Sequence, residues 1–458
     1  MEKDKTLTRM AETPVSRLML TMGIPMIVSM VLQAFYNIVD SAFVSNMSTG
    51  GEEALNALTL AFPIQMLMVA VSIGTGVGTN ALLAKSLGQG DKNRAAKVAG
   101  NAEFLGAVIF AACLIFGIVG ARPYIVSQTS NPVITEMAVS YLRICCVLSP
   151  GIVFFSVFEK LLQATGLSLY STIAQISGAL INIALDPILI YGLFGLPELG
   201  VRGAAYATVL GQIASFLIAL FFHLKKNTAV ENGLRFMKPD RLVIRGIYSI
   251  GLPAIIAQAL MSVMTYGLNL ILVRVDESMV TAYGLYYKIQ QFILFAAFGL
   301  RDAITPIVSF SYGMGSKERV RQGVKYGILY TLIIMSAGLI GLEIFASPLA
   351  GVFGLSGNTQ SLCISAIRII SLCFVCAGIN IAAQGIFQAL DRGGYSLVIS
   401  VLRQLLLVLP VAWGFSLLAR RDMSLSWLVW LTFPIAEILS AAAALVFLRR
   451  TVPSGKGA

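Results

Sequence analysis

The sequence is poor in charged residues and in histidine. Only 12% of its 458 residues are Asp, Glu, Lys or Arg, and there is one histidine, His223. A soluble globular chain averages about 25% charged residues, so this chain has too little charge to cover a water-facing surface of its own size. Because 57% of its residues are hydrophobic, we expect an integral membrane protein that is solvated by lipid.

The usual signs of a catalytic or cofactor site are missing as well. His223 lies between an apolar and a basic run, which predicts an interfacial side chain rather than a metal ligand or proton carrier. Cys373 and Cys376 form a C-x-x-C pair with no second ligand pair nearby, so we interpret them as small apolar residues within a span. With no acid–base pair, nucleophile constellation or metal cluster in view, the sequence predicts a protein that is not an enzyme and has no cofactor.

Long apolar runs dominate the chain. A helix needs about twenty apolar residues to cross the hydrocarbon core. Twelve such runs lie near residues 17–44, 56–84, 99–121, 135–157, 171–192, 203–224, 246–272, 283–311, 326–347, 363–386, 398–419 and 426–448. We therefore predict an all-α polytopic membrane protein with twelve transmembrane helices.

The basic residues predict the orientation. If loops alternate between the two sides, Lys and Arg concentrate on one side, in the N-terminal segment, residues 85–97, Lys160, residues 225–245, residues 317–325 and the tail. The positive-inside rule then places both termini in the cytoplasm of a multi-pass cell-membrane protein. The net charge of +11 is explained by contact with the anionic inner leaflet, so we predict no nucleic-acid partner.

The two halves of the chain resemble each other. Three segments recur in order, 225 to 228 residues apart: GIPMIVS from Gly23 and GLPAIIA from Gly251, SLGQGDKNRA from Ser86 and SYGMGSKERV from Ser311, QATGLSLYS from Gln163 and QALDRGGYS from Gln388. Six spans per half give both halves one orientation, so we predict a parallel repeat about the membrane normal. The predicted parts are an N-terminal six-helix lobe (1–222), a cytoplasmic linker (223–245) and a C-terminal six-helix lobe (246–458).

The repeated segment GQGDKNRA predicts a tight cytoplasmic turn. Gly88 and Gly90 can end a helix with positive φ, and Asp91 can cap the next helix. Ser316 occupies the matching place in the second half. The segment lacks the Gly-Lys-Ser/Thr ending of a phosphate-binding loop, which excludes a nucleotide site of that kind.

Two carboxylates within the first-lobe spans are the sharpest functional signal, because each costs about 2.5–3.5 kcal/mol at a helix centre on insertion scales. Asp40 shares a helix face with Tyr36 and Asn37, and Asp186 shares one with Asn182. Such oxygen ligands suit a hard ion such as Na⁺. A buried carboxylate can instead hold a proton near neutral pH, because burial disfavours its charged form.

We therefore predict that H⁺ or Na⁺ binds at Asp40, Asn182 and Asp186. Pro187 adds a carbonyl oxygen to this region, because proline cannot donate a hydrogen bond to Ile183 four residues earlier. The alternative is that both carboxylates only hydrogen-bond neighbouring helices.

Other polar side chains in the spans are candidates for substrate or cavity contacts. They are Gln33, Tyr36 and Asn37 in the first lobe and Lys288, Gln291, Arg301 and Asp302 in the second. Arg301 and Asp302 are adjacent, so we expect them to point in different directions on a helix. The second-lobe charges can equally belong to structural ion pairs.

These features resemble the multidrug and toxic compound extrusion family. The resemblance lies in the Gly-Ile-Pro opening of the first span with Asp40, the turn SLGQGDKNRA, and the segment NIALDPILIYGLFGLPELGVRGAAYATVLGQ. It implies a drug/cation antiporter with two six-helix lobes around a cavity that opens to alternate sides. Asp40, Asn182 and Asp186 match the family's first-lobe cation and proton site. Some sodium-coupled branches use acidic residues in the seventh and tenth spans, which contain none here, so the resemblance is to branches that couple through the first lobe.

We accordingly expect a monomeric secondary transporter that exports organic, often cationic and amphipathic, compounds against H⁺ or Na⁺. The alternative is a flippase for lipid-linked oligosaccharide or peptidoglycan precursors, but the few intramembrane cations disfavour its basic cavity. A channel or receptor is disfavoured by the repeat with its intramembrane carboxylates.

Overall fold

The computed structural model describes residues 2–45, 51–352 and 357–452. The side chains of a few residues within these ranges, Asn37 and Asp40 among them, lie outside the described part. Helices form nearly all of the described chain, and no strand occurs in it. The all-α prediction is therefore confirmed.

In its described part, the first half of the chain forms nine α-helices. They are α1 (Glu2–Glu12), α2 (Val15–Ser45), α3 (Gly51–Gly88), α4 (Lys92–Ile115), α5 (Ala121–Val126), α6 (Pro132–Val147), α7 (Pro150–Ala164), α8 (Ser168–Tyr191) and α9 (Val201–Lys226). A π-helical turn, Phe116–Gly120, joins α4 to α5. Short 3₁₀ turns lie at Leu193–Gly195 and, in the segment before the next helix, at Leu234–Met237.

The second half forms eight α-helices within the described residues. They are α10 (Arg241–Leu272), α11 (Glu277–Gly313), α12 (Lys317–Val352), α13 (Gly357–Ser371), α14 (Phe374–Ala389), α15 (Gly393–Val401), α16 (Val408–Arg421) and α17 (Thr432–Thr451). A π-helical turn, Leu402–Leu406, joins α15 to α16, and a 3₁₀ segment, Met423–Leu431, leads into α17.

Twelve spans are present if two bent helix pairs each count as one. Ten segments of the described chain are long and apolar enough to cross a membrane, and the pairs α6 with α7 and α13 with α14 add two more. The pairs bend by 42° and 55°. The first break lies at Leu148, whose φ of −98° and ψ of +27° are not helical, and Pro150 has no N–H to continue the helical hydrogen bonds across it. The fourth and tenth predicted spans are thus broken rather than continuous.

The contacts divide the chain into two compact units. The first unit contains Met1–Thr13 and Val28–Ile255, and the second contains Pro14–Ile27 and Ile256–Ala458. The helices α2 and α10 therefore each have residues in both units. The predicted boundaries at residues 222 and 246, which follow from the sequence repeat, stay a prediction.

The predicted cytoplasmic turn forms in both halves, but the positive φ predicted for Gly88 was wrong, because Gly88 is the last helical residue of α3. Gly90 has a φ of +74° and Gly315 a φ of +72°, in the left-handed region that favours glycine. The Asp91 side chain accepts a hydrogen bond of 2.9 Å from the backbone N–H of Arg94. Ser316 Oγ accepts one of 3.4 Å from the N–H of Arg319. Both halves thus start the next helix with a side-chain cap.

Two polar residues lie deeper in the protein than the sequence indicated. Lys160, which we placed with the cytoplasmic loops, is 1% exposed within α7, where its Nζ donates to Gln163 Oε1 at 2.9 Å. His223 is fully buried near the end of α9, with Nε2 2.8 Å from Asn232 Oδ1. His223 therefore packs inside the protein, and its position at the membrane interface stays a prediction. Hydrophobicity averaged along a run does not identify the few polar side chains that have buried partners.

Candidate functional site

The site begins with the contact between α2 and α8 in the first unit. Ser29 on α2 donates a hydrogen bond to Gln175 Oε1 on α8. Gln175 Nε2 donates in turn to Gln33 Oε1 at 3.1 Å. Further along both helices, the Tyr191 hydroxyl donates to the carbonyl oxygen of Phe43 at 2.7 Å. These contacts tie the two helices together near both ends of the shared segment.

The contacts also fix the register of the two helices. Each bonded pair is separated by 142 to 148 residues in sequence, and both helices advance in the same direction from the first pair to the last. A helix rises about 1.5 Å per residue, so positions with this separation lie at similar levels. Position 40 of α2 and position 186 of α8 have a separation within this range. The register therefore brings the two predicted carboxylate positions to one level.

A small cavity with both apolar and polar residues in its lining lies along this contact. Its volume is about 60 Å³. The described residues that line it are uncharged, and the polar ones are Ser29, Gln33, Tyr36, Gln175, Asn182, Thr208, Gln212 and Ser215. Thr208 Oγ1 and Asn182 Oδ1 are buried without a hydrogen-bond partner in the described structure. Such a cavity has room for a water molecule or a small cation, and it offers oxygen atoms to either.

Asp186 lies one helical turn beyond the cavity-lining Asn182. Asp186 is 0% exposed and Asn182 is 3% exposed. The Asn182 Nδ2 donates to Asp186 Oδ1 at 3.4 Å. Pro187 has no N–H, so the carbonyl of Ile183 lacks its usual helical donor. A buried carboxylate, an amide oxygen and a carbonyl oxygen thus lie within about one turn of α8.

The position of Asn182 depends on close packing between α8 and α9. A Cβ atom on Gly211 of α9 would lie 2.7 Å from the carbonyl oxygen of Gly178 and 2.9 Å from Asn182 Cβ. A side chain at Gly211 would therefore separate the helices. Ala204, Ala205 and Ala207 of α9 are 0% exposed. The small residues of the segment that follows Asp186 thus have a packing role, which places Thr208 and Gln212 beside α8.

The family model named MatE matches the chain twice, over residues 25–188 and 253–413. The chain belongs to the MatE family. The two matched ranges begin 228 residues apart and end 225 residues apart, which agrees with the sequence repeat. The resemblance to multidrug and toxic compound extrusion proteins is therefore confirmed.

Similar proteins match this MatE-family chain over nearly its whole length. Multidrug export protein MepA of Staphylococcus aureus strain MSSA476 is 24% identical over 455 residues, which cover 97% of this chain and 96% of MepA. The solved outward-facing conformation of a multidrug resistance MATE family transporter of the MOP superfamily has a TM-score of 0.90 and 26% identity, with 97% of both chains covered. A MATE crystal structure in the straight conformation has a TM-score of 0.91 and 26% identity, with 98% of both chains covered.

The predicted first-lobe residues fall into two groups. The structure brings Gln33, Tyr36 and Asn182 together at the cavity, with Asp186 one turn away. The side chains of Asn37 and Asp40 lie outside the described residues, so their participation stays a prediction.

The predicted second-lobe residues do not form one site with each other. Arg301 Nη2 lies 3.0 Å from Asp302 Oδ1, so the expectation that these neighbours point in different directions was wrong. The long Arg301 side chain folds back along the helix to reach the adjacent carboxylate. Lys288 is exposed on α11, whereas Gln291 hydrogen-bonds the hydroxyl of Tyr287. These residues stay candidates for substrate contacts.

Sequence reasoning missed several polar residues of the cavity. Gln175 precedes Asn182 by seven residues and Asp186 by eleven, a spacing that puts all three on one helix face. This periodicity was a usable signal. Gln212 and Thr208 carried no comparable signal, because they reach the cavity only through the glycine-mediated packing of α9 on α8.

Proposed function

We propose that this chain exports organic compounds across the cell membrane in exchange for H⁺ or Na⁺. The coupling cation binds beside Asp186 and Asn182, at the level of position 40 on α2. Its binding selects one arrangement of α2 relative to α8, and that arrangement expels the organic substrate. A ligand shifts such an equilibrium only by its difference in affinity for the two states.

The observation that carries the proposal is the burial of Asp186 one helical turn from a cavity of about 60 Å³ that has polar residues in its lining. A buried carboxylate in a span is energetically costly and is usually functional. The cavity is too small for a drug-sized molecule, which needs roughly 300 Å³ or more. Its size and its oxygen atoms suit a proton, a water molecule or a small cation.

The relatives support the organic substrate. Their names describe multidrug export and multidrug resistance, so we propose the same substrate class for this chain. The flippase alternative requires cationic side chains to hold a pyrophosphate group. Few Lys and Arg residues lie within the spans, which favours the exporter.

The proposal includes the membrane setting. Both termini lie in the cytoplasm, and the basic loop residues contact the anionic inner leaflet. The chain works as a monomer and has no nucleic-acid partner.

The test is dye efflux in inverted membrane vesicles, with the pH gradient and the Na⁺ gradient imposed separately. Wild-type protein should move a cationic dye when one gradient is applied. Asp186→Asn and Asp40→Asn should insert normally and lose at least about 90% of this gradient-driven transport, because neutral amides cannot exchange the cation. Wild-type rates in both variants would refute the proposal.

A matched control is Glu343→Gln. Glu343 is another carboxylate within a span, and it accepts a hydrogen bond of 2.8 Å from Ser371 Oγ. Glutamine keeps an oxygen for this bond, so the variant should transport at the wild-type rate. Loss of transport in Glu343→Gln would mean that removal of any carboxylate from a span impairs the protein.

A further inference from the structure

Some residues that line the first-unit cavity have equivalents in the second unit, because the two halves of the sequence repeat. Three residues that line the cavity match second-unit residues at an offset of 225: Phe155 and Asn380, Gly178 and Arg403, Gln212 and Glu437. The same offset separates Gly90 from Gly315, whose turns have the same geometry. The three matches lie on equivalent helices, namely α7 and α14, α8 and the α15–α16 segment, and α9 and α17.

The counterpart residues form a buried ion pair. Arg403 Nε donates to Glu437 Oε1, and the two side chains are 11% and 10% exposed. The fully buried Asn380 donates from Nδ2 to Glu437 Oε2 at 2.7 Å. Residues that are a glycine and a glutamine in the first unit are thus a guanidinium and a carboxylate in the second.

Further buried oxygen atoms belong to Asn380 and to the helical segments of the pair. Asn380 Oδ1, Gln404 Oε1 and Ser440 Oγ are buried and have no hydrogen-bond partner in the described structure. Ser440 lies three residues after Glu437 on α17, a spacing that puts both on one helix face, and Asn380 is bonded to Glu437. Glu437, Asn380 and Ser440 therefore supply oxygen atoms of the kind that a small cation binds.

The backbone at Arg403 differs from that at Gly178. Arg403 lies in the π-helical turn Leu402–Leu406, where the N–H of Leu407 donates to the carbonyl of Leu402 at 3.0 Å. The equivalent part of α8 is α-helical. π-helical turns arise from a local insertion into a helix and occur frequently at functional sites. The second unit thus has an irregular backbone at the residue that supplies the positive charge.

We infer that the second unit contains a latent cation site at Glu437, Asn380 and Ser440, in which the guanidinium of Arg403 takes the place of a bound H⁺ or Na⁺. The tethered charge neutralises Glu437 throughout the transport cycle. Ion exchange is thereby confined to the first unit. This last step rests on the proposed function, whereas the site itself does not.

The chemistry follows from the cost of a buried charge. A carboxylate at this depth needs a cation or a proton, because burial disfavours an uncompensated charge. Arg403 supplies a charge that cannot dissociate. If the arginine side chain is removed, Glu437 retains the same need, and the neighbouring oxygens and the vacated volume can hold a monovalent cation instead.

The test uses the purified full-length protein with Asp186→Asn as the background, so that the first-unit site does not contribute. Arg403→Ala and Arg403→Gln are each added. One arm measures binding of ²²Na⁺ by scintillation proximity, and the other follows the infrared carboxyl band of a protonated side chain during a pH titration. We expect one additional bound Na⁺ per chain or one additional protonated carboxyl group. The melting temperature should also rise with Na⁺ or with acidification.

Two controls assign the signal. Addition of Glu437→Gln to an Arg403 variant should abolish the additional Na⁺ binding and the additional protonated carboxyl group. The charge-reversed pair Arg403→Glu with Glu437→Arg should show neither signal. The inference would be overturned if a folded Arg403 variant gained neither a bound Na⁺ nor a protonated carboxyl group. It would also be overturned if either signal persisted after Glu437→Gln was added. Arg403→Gln keeps most of the side-chain volume and a donor for Glu437. Failure of both variants to fold even at high Na⁺ or low pH would also overturn it, because a cation should replace the guanidinium.

Because these measurements use no transport, their outcome is separate from that of the dye assay. If the Arg403 variants gain a bound Na⁺ or a protonated carboxyl group and Asp186→Asn keeps wild-type efflux, only the proposed function is refuted. Loss of efflux in Asp186→Asn with no gain in the Arg403 variants would refute only the latent site.

Discussion

Asn182 donates a hydrogen bond of 3.4 Å to the carboxylate of Asp186, one turn further along α8. The other polar atom of the same amide, Oδ1, has no partner in the described structure, and Asn182 lines the cavity. One side chain thus orients the carboxylate and presents an oxygen to the cavity. This dual contact makes Asn182 the most direct link between the carboxylate and the space where a cation can bind.

We expect Asn182→Ala to weaken binding of Na⁺ by about 5- to 10-fold without unfolding the protein, because it removes the Oδ1 ligand at the cavity and one neutral contact contributes about 1–1.5 kcal/mol. If the coupling ion is H⁺, the same variant should bind it more tightly, because the Nδ2 donor that is lost favours the charged form of Asp186. The measurement is the cation concentration that gives half-maximal dye efflux. Asn182→Asp should lower this concentration for either ion, because two neighbouring carboxylates favour a shared cation or proton. An unchanged half-maximal concentration in Asn182→Ala would contradict this role.

The contact between α8 and α9 predicts a steric effect at Gly211. A methyl group there would lie 2.7 Å from the carbonyl oxygen of Gly178 and 2.9 Å from Asn182 Cβ. Gly211→Ala should therefore destabilise the protein by about 1–3 kcal/mol and displace Asn182, which lowers transport as well. Thermal unfolding in detergent, followed by far-ultraviolet circular dichroism, measures the first effect, because Trp413, Trp427 and Trp430 all lie in the second unit.

The matched control for Gly211→Ala is Gly414→Ala in α16. A Cβ atom there would meet no atom within 4 Å. This substitution should leave the melting temperature unchanged or raise it, because alanine favours a helix over glycine by about 1 kcal/mol. Equal destabilisation by both substitutions would show that the packing argument at Gly211 is incorrect.

The spans and the turns were predictable because they depend on local sequence. Apolar run length identifies a span, and Gly90 with Asp91 specifies a helix end and a cap at adjacent positions. The repeat followed from the matched segments without any structural information. The breaks within the fourth and tenth spans were harder to predict from the sequence, since the second break, at Leu372 and Cys373, contains no proline.

The candidate site was predictable only in part, because its geometry depends on distant residues. Asp186 and Asn182 were recognisable from the energetic cost of a carboxylate in a span and from their helical spacing. Gln212 was not, because its place in the cavity depends on Gly211 packing against α8. The pairing of Arg403 with Glu437 could not be predicted either. The two residues lie 34 positions apart, one in the π-helical turn Leu402–Leu406 and the other in α17.

The segment before α10 predicts a further, structural role for Asn101 of α4. Its Nδ2 donates to the carbonyls of Phe236 at 3.3 Å and Lys238 at 3.2 Å, and its Oδ1 accepts from the N–H of Asp240 at 2.8 Å. Asn101→Ala should release this segment, because each hydrogen bond contributes about 1 kcal/mol. Limited trypsin digestion should then cleave faster after Arg235, which is followed by Phe236.

A suitable control for Asn101→Ala is Gln322→Ala, which removes an exposed hydrogen bond of 3.0 Å to Glu318 on α12. Cleavage after Arg235 should be unchanged in this variant. If Asn101→Ala is cleaved no faster than the control, other contacts hold the segment and the role assigned to Asn101 is incorrect.

The cap of α10 predicts a pH dependence of stability. Asp240 Oδ1 accepts hydrogen bonds from the backbone N–H groups of Val243 at 3.4 Å and Leu242 at 3.0 Å, and Lys97 Nζ lies 3.4 Å from Oδ2. The bond from Val243, followed by those from Leu242 and Lys97, lowers the pKa of Asp240 below its ordinary value of 3.8. A lowered pKa means that the folded state binds this proton less readily than the unfolded state does.

The stabilisation by charged Asp240 should therefore be complete at neutral pH and should disappear as the pH falls below 3.8. The comparison variant is Asp240→Asn, because asparagine still caps a helix but does not titrate. Wild-type protein should melt at a higher temperature than Asp240→Asn at neutral pH, and the two melting temperatures should converge as the pH falls to about 3. All other acidic groups titrate equally in both proteins, so the difference isolates Asp240. A difference that stays constant over this range would show that the charge of Asp240 does not contribute to the cap.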